Sequence, residues 1–169
     1  MTEKEIRDRL AIGEHIRLEC KKAGSSELPK SIWETYSAFA NTMGGIILLG
    51  VEEHKSGSSV KYSFSGVDAP AKMLSDFWNI INSDKVSHNT LLDKNVGVVD
   101  IDGKRIIYID VPQANWRIKP IYINGNIYKG SYKRNHEGDY HCTEAEIKAM
   151  IRDSNEDGND GGILGIRGL

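Results

Sequence analysis

Several ingredients that would narrow the function are scarce or missing from this chain. Its 169 residues include only two cysteines, Cys20 and Cys142, without CxxC spacing, so neither a disulfide scaffold nor a zinc site is indicated. No apolar run approaches the roughly 18 residues of a membrane helix. No basic-then-apolar leader opens the chain, so a soluble, cytoplasmic protein without membrane contact is expected. Walker A, GxSxG, HExxH and GxGxxG patterns are all absent. Net charge is nearly absent too: 22 basic against 24 acidic residues give −2, so the overall composition does not point to a polyanionic partner. What is present, 39% hydrophobic residues, suffices for one sizeable core and one domain.

The organising stretch is 37–51, Ser-Ala-Phe-Ala-Asn-Thr-Met-Gly-Gly-Ile-Ile-Leu-Leu-Gly-Val. It carries an amphipathic helix (Leu28, Ile32, Tyr36, Phe39) through a turn at Asn41, Gly44 and Gly45 into a continuous apolar strand. Such a run between glycines is the pattern of a strand covered on both faces. Asn41 can bond local backbone where the helix stops, and the glycines permit positive φ. The turn reads either as a core corner or as a cradle for a ligand.

Around it, Thr2 and Glu5 form a capping box that opens a helix ending near Gly13. Residues 14–22 alternate as a half-buried strand with Arg17, Glu19 and Lys21 on its polar face. Residues 52–59 read as a polar loop, followed by a strand over 60–65. A third helix has Asp68 as N-cap and Met73, Phe77, Trp78 and Ile81 as its buried face. Asp102-Gly103 joins two strands, 96–101 and 104–111, and Asn124-Gly125 suggests a second hairpin. Thr143 and Glu146 cap a last helix to about residue 153. Residues 154–169 have the composition of a flexible linker, or of the truncated start of a following module, after a domain spanning 1–153. The expected fold is α+β, a mixed, mostly antiparallel sheet with about four helices.

The near-zero net charge conceals a polarised chain. Residues 104–136 hold seven cations (Lys104, Arg105, Arg117, Lys119, Lys129, Lys133, Arg134) against Asp110 alone, while residues 137–160 hold eight acids against Lys148 and Arg152. Cations interleaved with Trp116, Tyr122, Tyr128 and Tyr132 are what a phosphate-tracking, base-stacking surface requires. An ordinary solvated sheet face, or a surface for an acidic protein, has the same composition. If the first and central strands are neighbours, Glu14, Glu19 and Glu52 or Glu53 converge at one end of the sheet. Converged carboxylates bind Mg²⁺ or Mn²⁺ and can serve phosphodiester hydrolysis.

Glu14-x4-Glu19-Cys20-Lys21, Ser37-Ala-Phe-Ala-Asn-Thr-Met-Gly-Gly and Leu49-Gly-Val-Glu-Glu together resemble the Schlafen/AlbA-like domain, over about residues 10–153. Lys119-Pro-Ile-Tyr-Ile-Asn-Gly-Asn-Ile-Tyr-Lys-Gly-Ser fits as well, as does the Thr-Glu-Ala-Glu-Ile helix. The resemblance implies an N-terminal domain of bacterial transcriptional regulators or RecG-like helicase-related proteins, binding DNA or RNA and followed by an ATPase-like or winged-helix module. On that reading Lys119, Lys129, Lys133 and Arg134 contact phosphates together with Arg117, while Arg17 and Lys21 lie at a second edge. Binding itself needs no cofactor. The animal members' metal-dependent ribonuclease triad falls on Glu14, Glu19 and Glu53, where Mg²⁺ or Mn²⁺ would serve a nuclease. Glu53 replaces an aspartate of that pattern, and Lys129 an arginine, which keeps the charge but loses bidentate phosphate recognition. A homo-oligomer is a further expectation.

Overall fold

Strand β2 (Gly45–Leu49) is buried at all five positions and divides the core in two. Because side chains alternate along a strand, Ile47 and Leu49 join one apolar cluster while Ile46 and Leu48 join the other. The apolar run therefore serves both faces of a sheet, as its sequence implies. The computed structural model of the chain describes residues 1–13, 15–24, 26–163 and 165–166, with side chains through Asn155.

The sheet contains β1 (Leu18–Lys21), β2, β5 (Val96–Ile101) and β6 (Lys104–Val111) in the order β1-β2-β6-β5. Only the β1–β2 pair is parallel, with Leu18 opposite Ile46 and Lys21 opposite Leu49. A parallel pair needs a crossover, and helix α2 (Ile32–Asn41) supplies it. Helix α2 and helix α3 (Pro70–Ile81) cover one face with Tyr36, Phe39, Met73 and Phe77. Helix α1 (Glu3–Ile12) covers the other with Ile6 and Leu10. The β5–β6 turn has Asp102 at φ 52° and Gly103 at φ 77°, the positive pair that a two-residue hairpin demands.

Two-stranded ribbons stand outside this sheet; one is a short antiparallel pair of Gly161–Ile163 with Gly165–Ile166, and the other two flank the candidate site. Strands β3 (Val51–Ser56) and β4 (Ser59–Phe64) pair antiparallel, so Glu52 and Glu53 lie in a strand rather than in the expected loop. Gly57 at φ 62° lets the chain reverse in two residues, and the ribbon is polar because its far end stands in solvent. Strands β7 (Tyr132–Asn135) and β8 (Gly138–His141) form the other ribbon, through a turn at His136 and Glu137.

Other expectations need correction. The expected strand over 14–22 begins only at Leu18; His15–Arg17 curls as a 3-10 turn because Arg134 Nη2 donates to the carbonyls of both His15 and Leu18. Helix α3 is capped at Ala69 without a side-chain bond, not at Asp68, and Pro70 starts it. Asn124-Gly125 does not make a strand hairpin. Asn126 Oδ1 instead accepts from Tyr128 N and Lys129 N and starts a single helical turn, α4 (Ile127–Gly130).

Both capping boxes form. The second opens α5 (Glu144–Asp160), which extends beyond the expected end near residue 153. The Thr143 amide first, and Lys133 second, hold the Glu146 carboxyl below its usual range. A depressed carboxylate contributes stability that is present above the ordinary value of about 4.3 and lost as pH falls through the folded-state value. In urea titrations between about pH 6 and pH 3, Glu146→Gln should therefore show a shallower acid-side decline than the parent. An unchanged decline would remove this cap from the acid response.

The turn of the organising stretch is a structural joint. Asn41 Nδ2 donates to the carbonyls of Ile121 and Tyr132, both at 2.9 Å, and its Oδ1 accepts from Ile121 N at 2.7 Å. Ser37 Oγ donates to Ile121 O and accepts from Tyr132 N, and Thr42 Oγ1 accepts from Arg134 N. These partners are distant in sequence, not the local backbone expected for Asn41. Gly44, at φ 75°, has Val111 O only 2.7 Å from where a Cβ would stand. That space is filled by protein backbone, which favours the core corner over the ligand cradle.

A carboxylate pocket between two ribbons

Where β1, β3 and the β7–β8 ribbon approach one another, His15, Glu19, Cys20, Glu53, Lys55, Arg134 and Glu137 line a cavity of about 230 Å³. Alternation places Glu53 and Lys55 on the pocket side of β3, while Glu52 is not part of the lining. Glu19 comes from β1, His15 from the turn before it, and Glu137 from the ribbon tip.

Arg134 forms the inner wall. Its side chain is only 1% exposed, and Nη1 lies 2.9 Å from Glu19 Oε1 and 2.7 Å from Asp139 Oδ1. The guanidinium also sits over the Phe39 ring, 4.9 Å from its centroid. At the open side, Lys55 Nζ lies 2.7 Å from Glu137 Oε1 and 3.5 Å from Glu53 Oε1. The bond from Lys55 holds the Glu137 carboxyl below its usual range, and the same bond raises the Lys55 ammonium. His15 Nδ1 is 3.3 Å from Glu53 Oε2. Burial, reinforced by the Glu53 and then the Glu19 charge, pushes the Cys20 thiol up to about 12, so it is not a thiolate at neutral pH.

One ligand atom each from His15, Glu53 and Glu137 lies within 4.8 Å of the others. An imidazole nitrogen with two carboxylates is a donor set that fits a divalent metal ion. Of the expected triad, Glu19 and Glu53 reach this pocket, and Glu14 lies outside the described residues. Sequence reasoning did not join His15 or Glu137 to these carboxylates. Glu137-Gly138 between two short alternating segments was the available signal for the ribbon tip.

The expected phosphate-binding cations do not form one surface. Arg134 is buried. Lys133 Nζ is bonded to both carboxylate oxygens of Glu146, at 2.9 and 3.0 Å. Lys21 donates to Ser31 Oγ and lies 3.8 Å from Glu19. Arg17 is half-buried, its Nε without a hydrogen-bond partner. Three cations lie elsewhere. Arg117 is exposed and stacks over the Trp116 ring at 4.9 Å; Lys119, two residues on, is half-buried, which lowers its pKa; Lys129 is exposed beside Tyr128 on α4. The 3-10 turn carrying Trp116 and Arg117 packs against α5, as does α4. Trp116 and Tyr128 are exposed, whereas Tyr122 is half-buried and Tyr132 packs on the core.

This architecture, an α+β domain with a mixed, mostly antiparallel sheet, fits a nucleic-acid-binding domain class. The profile of the Schlafen AlbA_2 family matches residues 14–143, and the chain belongs to that family. It is similar to the solution NMR structure of the N-terminal domain of a Nitrosomonas europaea protein named for its relation to the ATP-dependent DNA helicase RecG. That match has a TM-score of 0.59 and 28% identity, covering 82% of this chain and 90% of that one. A crystal structure of the DIP2311 protein from Corynebacterium diphtheriae shares the fold, with a TM-score of 0.52 and 16% identity, covering 90% of this chain but 29% of that one. No curated protein matches the chain. No helix among the described residues is long and apolar enough to cross a membrane.

Proposed function

We propose that the chain is the nucleic-acid-binding domain of a bacterial transcriptional regulator, with DNA as its first candidate ligand. The observation that carries this reading is the exposed Trp116–Arg117 stack, with Lys119 close by in sequence and the Tyr128–Lys129 pair also set against α5. Cations there would meet phosphates and the aromatics would meet bases. The family membership and the RecG-related neighbour support the same class. In the whole protein, an ATPase-like or winged-helix module would follow, after a boundary near residue 153. Self-association is open to direct test, and light scattering of a plain monomer would remove it.

On this reading Arg117, Lys119 and Lys129 each meet a phosphate, whereas Arg134, Lys133 and Lys21 serve internal contacts. The logarithm of affinity should then fall against log salt with a slope of about −3. Mutating all three to Glu should abolish binding at about 0.15 M salt. An affinity independent of salt, or unchanged in the triple variant, would overturn the reading.

The pocket favours a second reading, a metal-dependent ribonuclease. Glu19 and Glu53, with His15 and Glu137 beside them, would hold Mg²⁺ or Mn²⁺; Glu14 would join them if it follows the family triad. A divalent ion held there supplies Lewis-acid activation of a phosphodiester and of the attacking water. Arg134 would hold Glu19 in position, and Lys55 is placed to meet a phosphate. With Mn²⁺ and structured RNA, cleavage should fall about 100-fold in Glu53→Gln. Cleavage that survives Glu19→Gln and Glu53→Gln comes from elsewhere, and no cleavage by the parent chain ends this reading.

A further inference from the structure

The His15–Glu53–Glu137 corner already contains a positive charge from the chain itself. Lys55 Nζ bridges Glu137 Oε1 at 2.7 Å and Glu53 Oε1 at 3.5 Å, and these residues supply two of the three clustered ligand atoms. A metal ion at that corner draws on the same two carboxylates, so it competes with the ammonium for their charge. Lys55 can leave readily, because its side chain is half exposed, on a two-stranded ribbon that ends in solvent.

We infer that Lys55 is an internal stand-in for a divalent transition-metal ion, which binds His15 Nδ1, Glu53 and Glu137 only after expelling the lysine ammonium. This rests on the metal reading of the pocket and adds two things to it. One is a gate: metal loading is suppressed until Lys55 finds another anion, and a phosphodiester entering the pocket would be one. The other is a preference for the ion. The imidazole nitrogen favours Mn²⁺ over Mg²⁺, which is satisfied best by oxygen and water.

The test is Mn²⁺ titration of the 169-residue chain, read by the electron paramagnetic resonance signal of free Mn²⁺. Lys55→Met should tighten binding on the order of ten-fold or more, since it removes a unit charge a few ångströms from the ion. Lys61→Met, a charge removed from the exposed neighbouring strand β4, should change it less than about two-fold. Adding Glu137→Gln to Lys55→Met should abolish the gain, and circular dichroism melts verify that each variant is folded. Mg²⁺ at the same concentration should displace little Mn²⁺.

Equal tightening in Lys55→Met and Lys61→Met would reduce the effect to general electrostatics and overturn the gate. Unchanged or weaker binding in Lys55→Met would also overturn it. Equal displacement by Mg²⁺ would remove His15 from the donor set and overturn the proposed ion. Mn²⁺ binding to none of the variants would overturn the metal reading as well. Mn²⁺ binding with the gate intact but no RNA cleavage would end only the ribonuclease reading.

Discussion

Arg134→Met should lower the free energy of unfolding by about 3–5 kcal/mol, read as a shift of the urea midpoint at constant slope. The size follows from what the guanidinium holds. It pairs with Glu19 and donates to Asp139 and to the carbonyls of His15 and Leu18, from a side chain that is almost wholly buried. Methionine fills much of the volume and keeps contact with Phe39, but it takes the guanidinium from two carboxylates and two carbonyls, leaving Asp139 to Thr35 Oγ1 and Glu19 to Lys21 at 3.8 Å. Removing one partner of a buried ionic network costs far more than the net contribution of the intact pair. Arg134→Lys should fall between, because one ammonium has three donors and cannot reproduce the planar fork. A loss below about 1 kcal/mol in Arg134→Met would show that water replaces the guanidinium without penalty.

Asn41→Ala is expected to cost about 2–4 kcal/mol on the same assay, at roughly 1 kcal/mol or more for each buried backbone group left unpaired. One amide bonds three backbone groups, the carbonyls of Ile121 and Tyr132 and the Ile121 N–H; Ile121 O keeps the Ser37 hydroxyl, so the loss falls mainly on the other two. Asn41→Asp should be worse than alanine. It retains the acceptor for Ile121 N, yet it sets a carboxylate against two carbonyl oxygens in a half-buried site. Equal stability of the Asp and Ala variants would mean that the amide protons contribute nothing.

These two residues also mark the limit of what sequence reading could reach. Asn41 stands in the stretch that the sequence singles out, and its place at a helix end is legible there. Its partners lie 80 and 91 residues away, and no local pattern points to them. Arg134 reads as one cation in a basic segment, because charge counting cannot tell a solvated arginine from one folded inward onto acids. Features closed within a few residues were legible: the Asp102-Gly103 turn, the two capping boxes, the αL residue Gly13 after α1, and the two-faced burial of β2. Asn124-Gly125 failed because two local signals compete there, and the Asn126 cap wins over the hairpin turn. The pocket was half legible. Glu19 and Glu53 follow from neighbouring strands, while His15 and Glu137 join only through the packing of a ribbon whose turn carries no Asn-Gly or Asp-Gly pair.

The Arg134 anchor has a kinetic consequence. Its bonds to His15 O and Leu18 O span 119 and 116 residues, so the pocket cannot close until nearly the whole domain has been synthesised and collapsed. Long-range closure of this kind slows folding, because loop entropy is lost before the contact rewards it. The β5–β6 hairpin can form early from local contacts. The carboxylates gathered by Arg134 would come together last, and amides of β1 and β7 should gain hydrogen-exchange protection in the same late step.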